Sequence, residues 1–159
     1  MKTKNPLFIV CLMLLFSVTG MAYGQAKVIT ITLYVNTASV DSQNTDQTCN
    51  FGQAEGISNE NFTVEANIGD TIIWRGESTS SPSDVVNITA INHEGGKNVF
   101  DKNRLDGNGQ IPELVIGTVV TGAPGDEDKY KVSFKVLNNG SRRNGTFHID
   151  PIIKVGGGN

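Results

Sequence analysis

The sequence predicts an all-β protein, a Greek-key β-sandwich of about seven strands. Short segments alternate apolar and polar side chains with a period of two, which is typical of half-buried strands. Clusters of Gly, Asn, Asp, Ser and Pro separate these segments, and no helical run of convincing length lies between them. At 159 residues the chain suits one domain with a single core.

The first 24 residues are predicted to be a secretory signal peptide that is cleaved after Gly24. Lys2 and Lys4 give a charged start, and Pro6 to Val18 is an unbroken apolar run. A transmembrane anchor is the alternative, but these 13 residues fall short of the ~20 needed to span a bilayer. We therefore expect a secreted or periplasmic protein that begins at Gln25 and has no membrane span.

Removal of this segment changes the charge and the cysteine content of the chain. Eleven basic and sixteen acidic residues remain, a net charge of −5. An acidic surface argues against a nucleic-acid partner, because a phosphate backbone requires a basic footprint. Cys11 is removed with the segment, so Cys49 is the only mature cysteine and no disulfide can form within the mature chain.

The predicted strands follow in chain order. In Lys27 to Val35 the apolar side chains occupy every second position, while threonines and Tyr34 occupy the positions between them. Pro151 marks an edge or a bulge within the last strand. The other strands are predicted at Phe62 to Ala66, Thr71 to Arg75, Val85 to Ile91, Leu114 to Val120, Tyr130 to Leu137 and Thr146 to Val155.

Residues 25–155 are expected to form one domain, followed by a flexible tail at 156–159. Asn36 to Asn61 has little periodicity and is predicted to be a long loop. Recognition modules of this format contact ligands through loops at one end. The candidate contact loops are Asp41 to Asn61, Glu77 to Asp84 and Asn92 to Pro112.

The stretch "VEANIGDTIIWR" resembles the strand that precedes the first histidine ligand of cupredoxins. A blue-copper site needs two His and one Cys, usually with an axial Met. His93 and His148 are the only histidines, Cys49 lies far upstream of the last two strands, and no methionine remains after cleavage. The resemblance implies a cupredoxin-like sandwich, with an immunoglobulin-like one as the alternative, and no blue copper.

A second resemblance is to the AidA/PixA inclusion-body protein family. The segments "NIGDTIIWRGES", "YKVSFKV" and "GTFHIDPIIKV" carry it. The matching positions are Gly69, Asp70, Ile72, Trp74, Arg75, Asp150 and Pro151. The resemblance implies a non-enzymatic sandwich that accumulates or self-associates. The signal peptide is a departure, because that family is typically cytoplasmic.

The polar stretch "DKNRLDGNGQIPE" is a candidate calcium loop. Asp101, Asn103, Asp106 and Glu113 supply oxygen ligands, and Gly107 suits a sharp turn. The stretch matches an EF-hand loop only if one residue is inserted, and nothing helical flanks it. A solvated turn-rich loop is the simpler interpretation. A calcium-dependent recognition or adhesion module remains an alternative function.

Catalysis is the least favoured interpretation. A Ser-His-Asp arrangement requires three groups close in space, and only His93, beside Glu94, is a candidate general base. A small hydrolase built on paired carboxylates is the second alternative.

The predicted function is an exported, non-catalytic binding or self-assembly module of unknown ligand. Sugar binding would need exposed aromatic side chains, for which only Tyr34, Phe51 and Phe100 are candidates. For self-association, flat strands such as Val28 to Val35 offer edges that can pair with another chain.

Overall fold

A computed structural model describes residues 25–157 of the chain. The predicted signal peptide and the last two residues of the predicted tail lie outside this range. The described part is all-β, which confirms the predicted fold class. Its strands are β1 (Val28–Val35), β2 (Cys49–Asn50), β3 (Thr63–Ala66), β4 (Thr71–Ser78), β5 (Val85–Gly96), β6 (Arg104–Asp106), β7 (Val115–Thr118), β8 (Glu127–Asn138), β9 (Ser141–Arg142), β10 (Phe147–Ile149) and β11 (Ile152–Val155).

The strands form two sheets that pack as a sandwich. The four-stranded sheet has the order β2-β1-β4-β7, and the seven-stranded sheet has the order β3-β11-β8-β5-β6, with β9 and β10 also paired to β8. Two pairs are parallel, β1 with β4 and β3 with β11. The other pairs are antiparallel.

Each predicted strand is present, and the structure adds short ones. Within the predicted loop from Asn36 to Asn61 lie the helix α1 (Thr45–Thr48), strand β2 and a 3-10 turn. The last predicted strand is divided into β10 and β11 at Asp150 and Pro151, since proline cannot donate to a ladder. Strand β6 lies inside the candidate calcium loop. The described part therefore has eleven strands rather than about seven.

The core lies between the sheets and is filled from the alternating positions. Trp74 of β4 and Tyr130 of β8 are almost completely buried, and their rings meet edge to face with centroids 5.7 Å apart. Trp74 Nε1 donates a hydrogen bond to the Tyr130 hydroxyl at 3.1 Å, which satisfies the buried indole N–H. Among residues 25–157, no helix has the length and apolar character needed to cross a membrane.

The turn before β4 fixes the start of β1. Gly69 has φ 96°, a conformation that glycine adopts without steric cost, so it suits the tight turn. The buried carboxylate of Asp70 accepts hydrogen bonds from Asn67 N at 2.9 Å and from Lys27 N at 2.8 Å. The Gly-Asp pair thus holds the residue before β1 against the first residue of β4, as the parallel pairing requires.

Candidate functional site

The four predicted calcium ligands lie on both sides of strand β6. Asp101 and Asn103 precede this strand, Asp106 ends it, and Glu113 follows the next turn. Extended backbone rises about 3.3 Å per residue, so about 10 Å separates the Cα atoms of Asn103 and Asp106. Calcium holds its oxygen ligands at about 2.3–2.6 Å. The chain is therefore extended between these two residues rather than curled around an ion, as the loop of an EF-hand is.

Two of these carboxylates have partners within the chain. Arg104 Nε donates to Oδ1 of Asp106 at 2.5 Å, and Gly109 N donates to Oε1 of Glu113 at 3.2 Å. Asp101 is exposed and has φ 53°. Within residues 25–157 no group of three or more His, Cys, Asp or Glu is arranged to hold a metal ion. Because the predicted calcium ligands include Asn103, which such groups do not count, the calcium site stays a prediction.

The two histidines contact different polar groups. His93 Nδ1 lies 2.8 Å from Oδ1 of Asp128, and the other oxygen of this carboxylate accepts from Val99 N at 3.0 Å. Burial raises the pKa of Asp128 above its ordinary value, although these two hydrogen bonds act to lower it. His148 Nδ1 lies 3.2 Å from Oγ of the buried Ser133. His93 contacts the carboxylate of Asp128, whereas His148 contacts the hydroxyl of Ser133. No hydrogen-bonded Ser-His-Asp set is therefore assembled in the described part of the chain.

Two of the three predicted contact loops lie at the same end of the sandwich. The loops 41–61 and 77–84 follow the carboxyl ends of the parallel strands β1 and β4. The third segment, 92–112, is divided by β6. Its first loop lies at the opposite end, and its residues after Asp106 return to the first end.

Asp84 joins three segments at this loop end. Its carboxylate accepts hydrogen bonds from Thr37 Oγ1 at 2.5 Å, from Asn138 Nδ2 at 2.7 Å and from Asn139 N at 2.9 Å. These hydrogen bonds lower the pKa of Asp84, and the bond from Thr37 has the largest effect. No sequence pattern indicated this network, because its members lie 47 to 55 residues apart along the chain.

A cavity of about 530 Å³ lies beside this network, lined by residues 76–86 and Pro112. Its lining is rich in serine and contains no aromatic side chain. The prediction that Phe51 and Phe100 are available for sugar contact is wrong, because these residues are only 8% and 6% exposed. Phe51 stacks on Phe62 and Phe100 packs on Trp74, which places both in the core.

The one cysteine among residues 25–157 is also in the core. Cys49 is 3% exposed, and burial raises the pKa of its thiol to about 11. A thiol that is both inaccessible and protonated is a poor partner for disulfide formation between folded chains.

Strand β1 has an unpaired edge over most of its length. On one side β4 pairs with all eight residues of β1. On the other side β2 pairs only with Tyr34 and Val35. The stretch from Val28 to Leu33 is therefore an exposed sheet edge, although β1 occupies an inner place in the order of the sheet.

The direction of the backbone groups along this edge follows from two hydrogen bonds. Thr71 N donates to Lys27 O at 2.8 Å, on the side of β4, and Asn36 N donates to Thr48 O at 2.8 Å, on the side of β2. Successive residues of a strand direct their N–H and C=O groups to opposite sides. Odd-numbered residues of β1 thus face β4, and even-numbered residues face outward. The outward residues of the unpaired stretch are Val28, Thr30 and Thr32.

The six outward backbone groups of these three residues have no partner among residues 25–157. Val28 is 68% exposed and Thr30 is exposed, so water reaches the edge. The stretch Val28 to Thr32 ("VITIT") carries no charge and no proline. Charged side chains and prolines are the features by which natural proteins ordinarily protect an edge strand, and this stretch has neither.

The other sheet edges are short or charged. Strand β2 has two residues, and β6 has three, of which Arg104 and Asp106 form an ion pair. Strand β3 carries the exposed Glu65. On β7 only Ile116 and Thr118 face outward between bonded flanking residues, because Leu114 O accepts from Asn108 N at 3.0 Å and Val120 N donates to Val99 O at 2.9 Å, so this edge is short.

The outer face of the four-stranded sheet beside the β1 edge is uncharged in its first two rows. Read across β1, β4 and β7, these rows are Val28-Thr71-Thr118 and Thr30-Ile73-Ile116. In the following rows Arg75 and Glu77 form an ion pair at 3.0 Å. The open edge thus continues into a face of β-branched side chains.

No protein-family model matches the sequence, and no curated protein matches it significantly. Among solved structures, the chain is similar to the crystal structure of an inclusion body protein, PixA, from Burkholderia cenocepacia J2315. The match has a TM-score of 0.58 at 18% identity and covers 83% of this chain and 97% of that chain. At this identity the likeness shows the fold. The PixA-type resemblance predicted from the sequence is confirmed to that extent.

Proposed function

We propose that the mature chain is an exported, non-catalytic β-sandwich that works by self-association. The observation that carries this proposal is the open edge of β1, which offers three N–H and three C=O groups to another strand. An unpaired edge without charge, proline or covering loop is a template for pairing with a second chain. The export part rests on the charged start and apolar run of the first 24 residues.

Two further observations support an assembling role over catalysis. A solved structure that shares this fold is named an inclusion body protein. In the described part of the chain the two histidines contact a carboxylate and a hydroxyl separately, so they offer no hydrogen-bonded catalytic set.

The test is the size of residues 25–159 in solution, measured by light scattering from about 1 µM to 1 mM, the range that reports dissociation constants of weak to moderate complexes. We expect the mean mass to rise above that of one chain as concentration increases. A constant mass of one chain over the whole range would contradict the proposal.

The matched variants are Thr30→Lys on β1 and Thr63→Lys on β3, since both threonines are exposed on sheet-edge strands. A charge on an edge strand blocks pairing. We therefore expect Thr30→Lys to raise the dissociation constant at least about tenfold, a cost of about 1.4 kcal/mol. Thr63→Lys should leave it unchanged.

A further inference from the structure

We propose that two copies pair antiparallel through β1, about a two-fold axis that passes between the Thr30 residues of the two chains. This inference rests on the proposed self-association and specifies its geometry. The result is one continuous sheet in which the β1 strands of the two copies are neighbours. The partner is a second copy of this chain.

The register follows from which backbone groups are free. In an antiparallel pair, residues that exchange both hydrogen bonds alternate with residues that exchange none. With Thr30 opposite Thr30, Val28 of each copy lies opposite Thr32 of the other. All three of these pairs consist of outward-facing residues, so the six free groups of one copy bond the six free groups of the other.

Neighbouring registers leave groups unmatched. If the axis passed through Ile31, Val28 would lie opposite Tyr34, whose outward groups belong to the pairing with Asn50 of β2. If the axis passed through Ile29, Thr32 would lie opposite Ala26, which precedes β1. An unmatched polar backbone group in an interface loses its water without gaining a partner. The register centred on Thr30 is the one in which every free group of β1 meets a free group of β1 in the other copy.

The side chains fit the same register. Outward-facing residues of β1 direct their side chains to the exposed face of the sheet, as the burial pattern of the strand indicates. The cross-strand neighbours are then Thr30 with Thr30 and Val28 with Thr32, pairs that bring no like charges together. Because each copy uses the same edge, the contact is closed, and it predicts a dimer rather than a fibre.

The inference is tested by disulfide cross-linking of residues 25–159 carrying Thr30→Cys or Val28→Cys. Directly opposite residues of a hydrogen-bonded antiparallel pair have Cα atoms about 5.5 Å apart. That distance lies within the about 4.4–6.8 Å that a disulfide spans. The two Val28 positions are offset by four residues, or about 13 Å along the strand. Both variants retain the buried Cys49, so its background contribution is the same.

On oxidation with diamide we expect Thr30→Cys to form covalent dimers at least about tenfold faster than Val28→Cys, since only the first pair lies within disulfide reach. Equal rates would overturn the register. Dimers in light scattering with no cross-link in either variant would overturn edge pairing and leave self-association standing. A chain that stays monomeric at all concentrations would overturn both proposals.

Discussion

At the residue scale, the loop end of the sandwich depends on one carboxylate. Asp84 is 8% exposed and receives three hydrogen bonds, from Thr37, Asn138 and Asn139. Thr37 follows β1, and Asn138 and Asn139 lie at the end of β8. Thr37 Oγ1 also contacts the hydroxyl of Ser80 at 2.6 Å, so the segment after β1 is bonded to both ends of the β4–β5 loop.

We predict that Asp84→Asn lowers stability at neutral pH and that the loss becomes smaller in acid. The folded-state pKa of Asp84 lies below its ordinary value of 3.8, so its ionised form stabilises the fold above that value. This contribution is lost as pH falls through the folded pKa. Urea unfolding of parent and variant at a series of pH values from 7 to about 2 measures the difference. A difference that stays constant with pH would show that the charge of Asp84 is not what stabilises the loops.

At the element scale, the approach of β4 to β5 depends on a residue without a side chain. A Cβ on Gly76 would overlap Cγ1 of Val86 and lie 2.8 Å from its carbonyl oxygen. Gly76 therefore lets the end of β4 lie against the start of β5, where the chain crosses from one sheet to the other. Alternation marks these strands in the sequence, but it carries no information on how closely they approach.

We predict that Gly76→Ala destabilises the protein by about 1–3 kcal/mol, the usual cost of overpacking. Gly95→Ala is the matched control on β5, because a Cβ there meets no atom within 4 Å and the backbone is not left-handed. The control should be neutral or stabilise slightly, by less than about 1 kcal/mol. Urea unfolding measures both, and equal effects of the two substitutions would refute the steric explanation.

At the scale of the whole molecule, the calcium alternative can be tested by thermal unfolding of residues 25–159 in excess EDTA and in millimolar Ca²⁺. We expect the same midpoint in both, because β6 separates Asn103 from Asp106. A ligand at a hundred times its dissociation constant would add about 2.7 kcal/mol. That would raise the midpoint by about 2–4 °C per kcal/mol for a domain of this size. A midpoint several degrees higher in Ca²⁺ than in EDTA would establish the calcium site and support the calcium-dependent adhesion hypothesis.

Only part of the candidate pairing edge of β1 could be predicted from the sequence. The uncharged alternation from Val28 to Val35 predicted a strand suited to pairing between chains. The sequence could not predict that β2 would pair with only the last two residues of β1. That outcome depends on where a two-residue strand after α1 meets β1, and no local pattern encodes it.

The sequence by itself determined the all-β class and the positions of the seven main strands, because alternation and turn residues act between near neighbours in the chain. It also indicated the Gly69-Asp70 turn. Only the tertiary structure decided that β1 lies parallel to β4, that Asp84 ties three segments together, and that Phe51 and Phe100 are buried. These features arise between residues far apart in the sequence, whose pairing is selected by the packing of the whole core rather than by local preference.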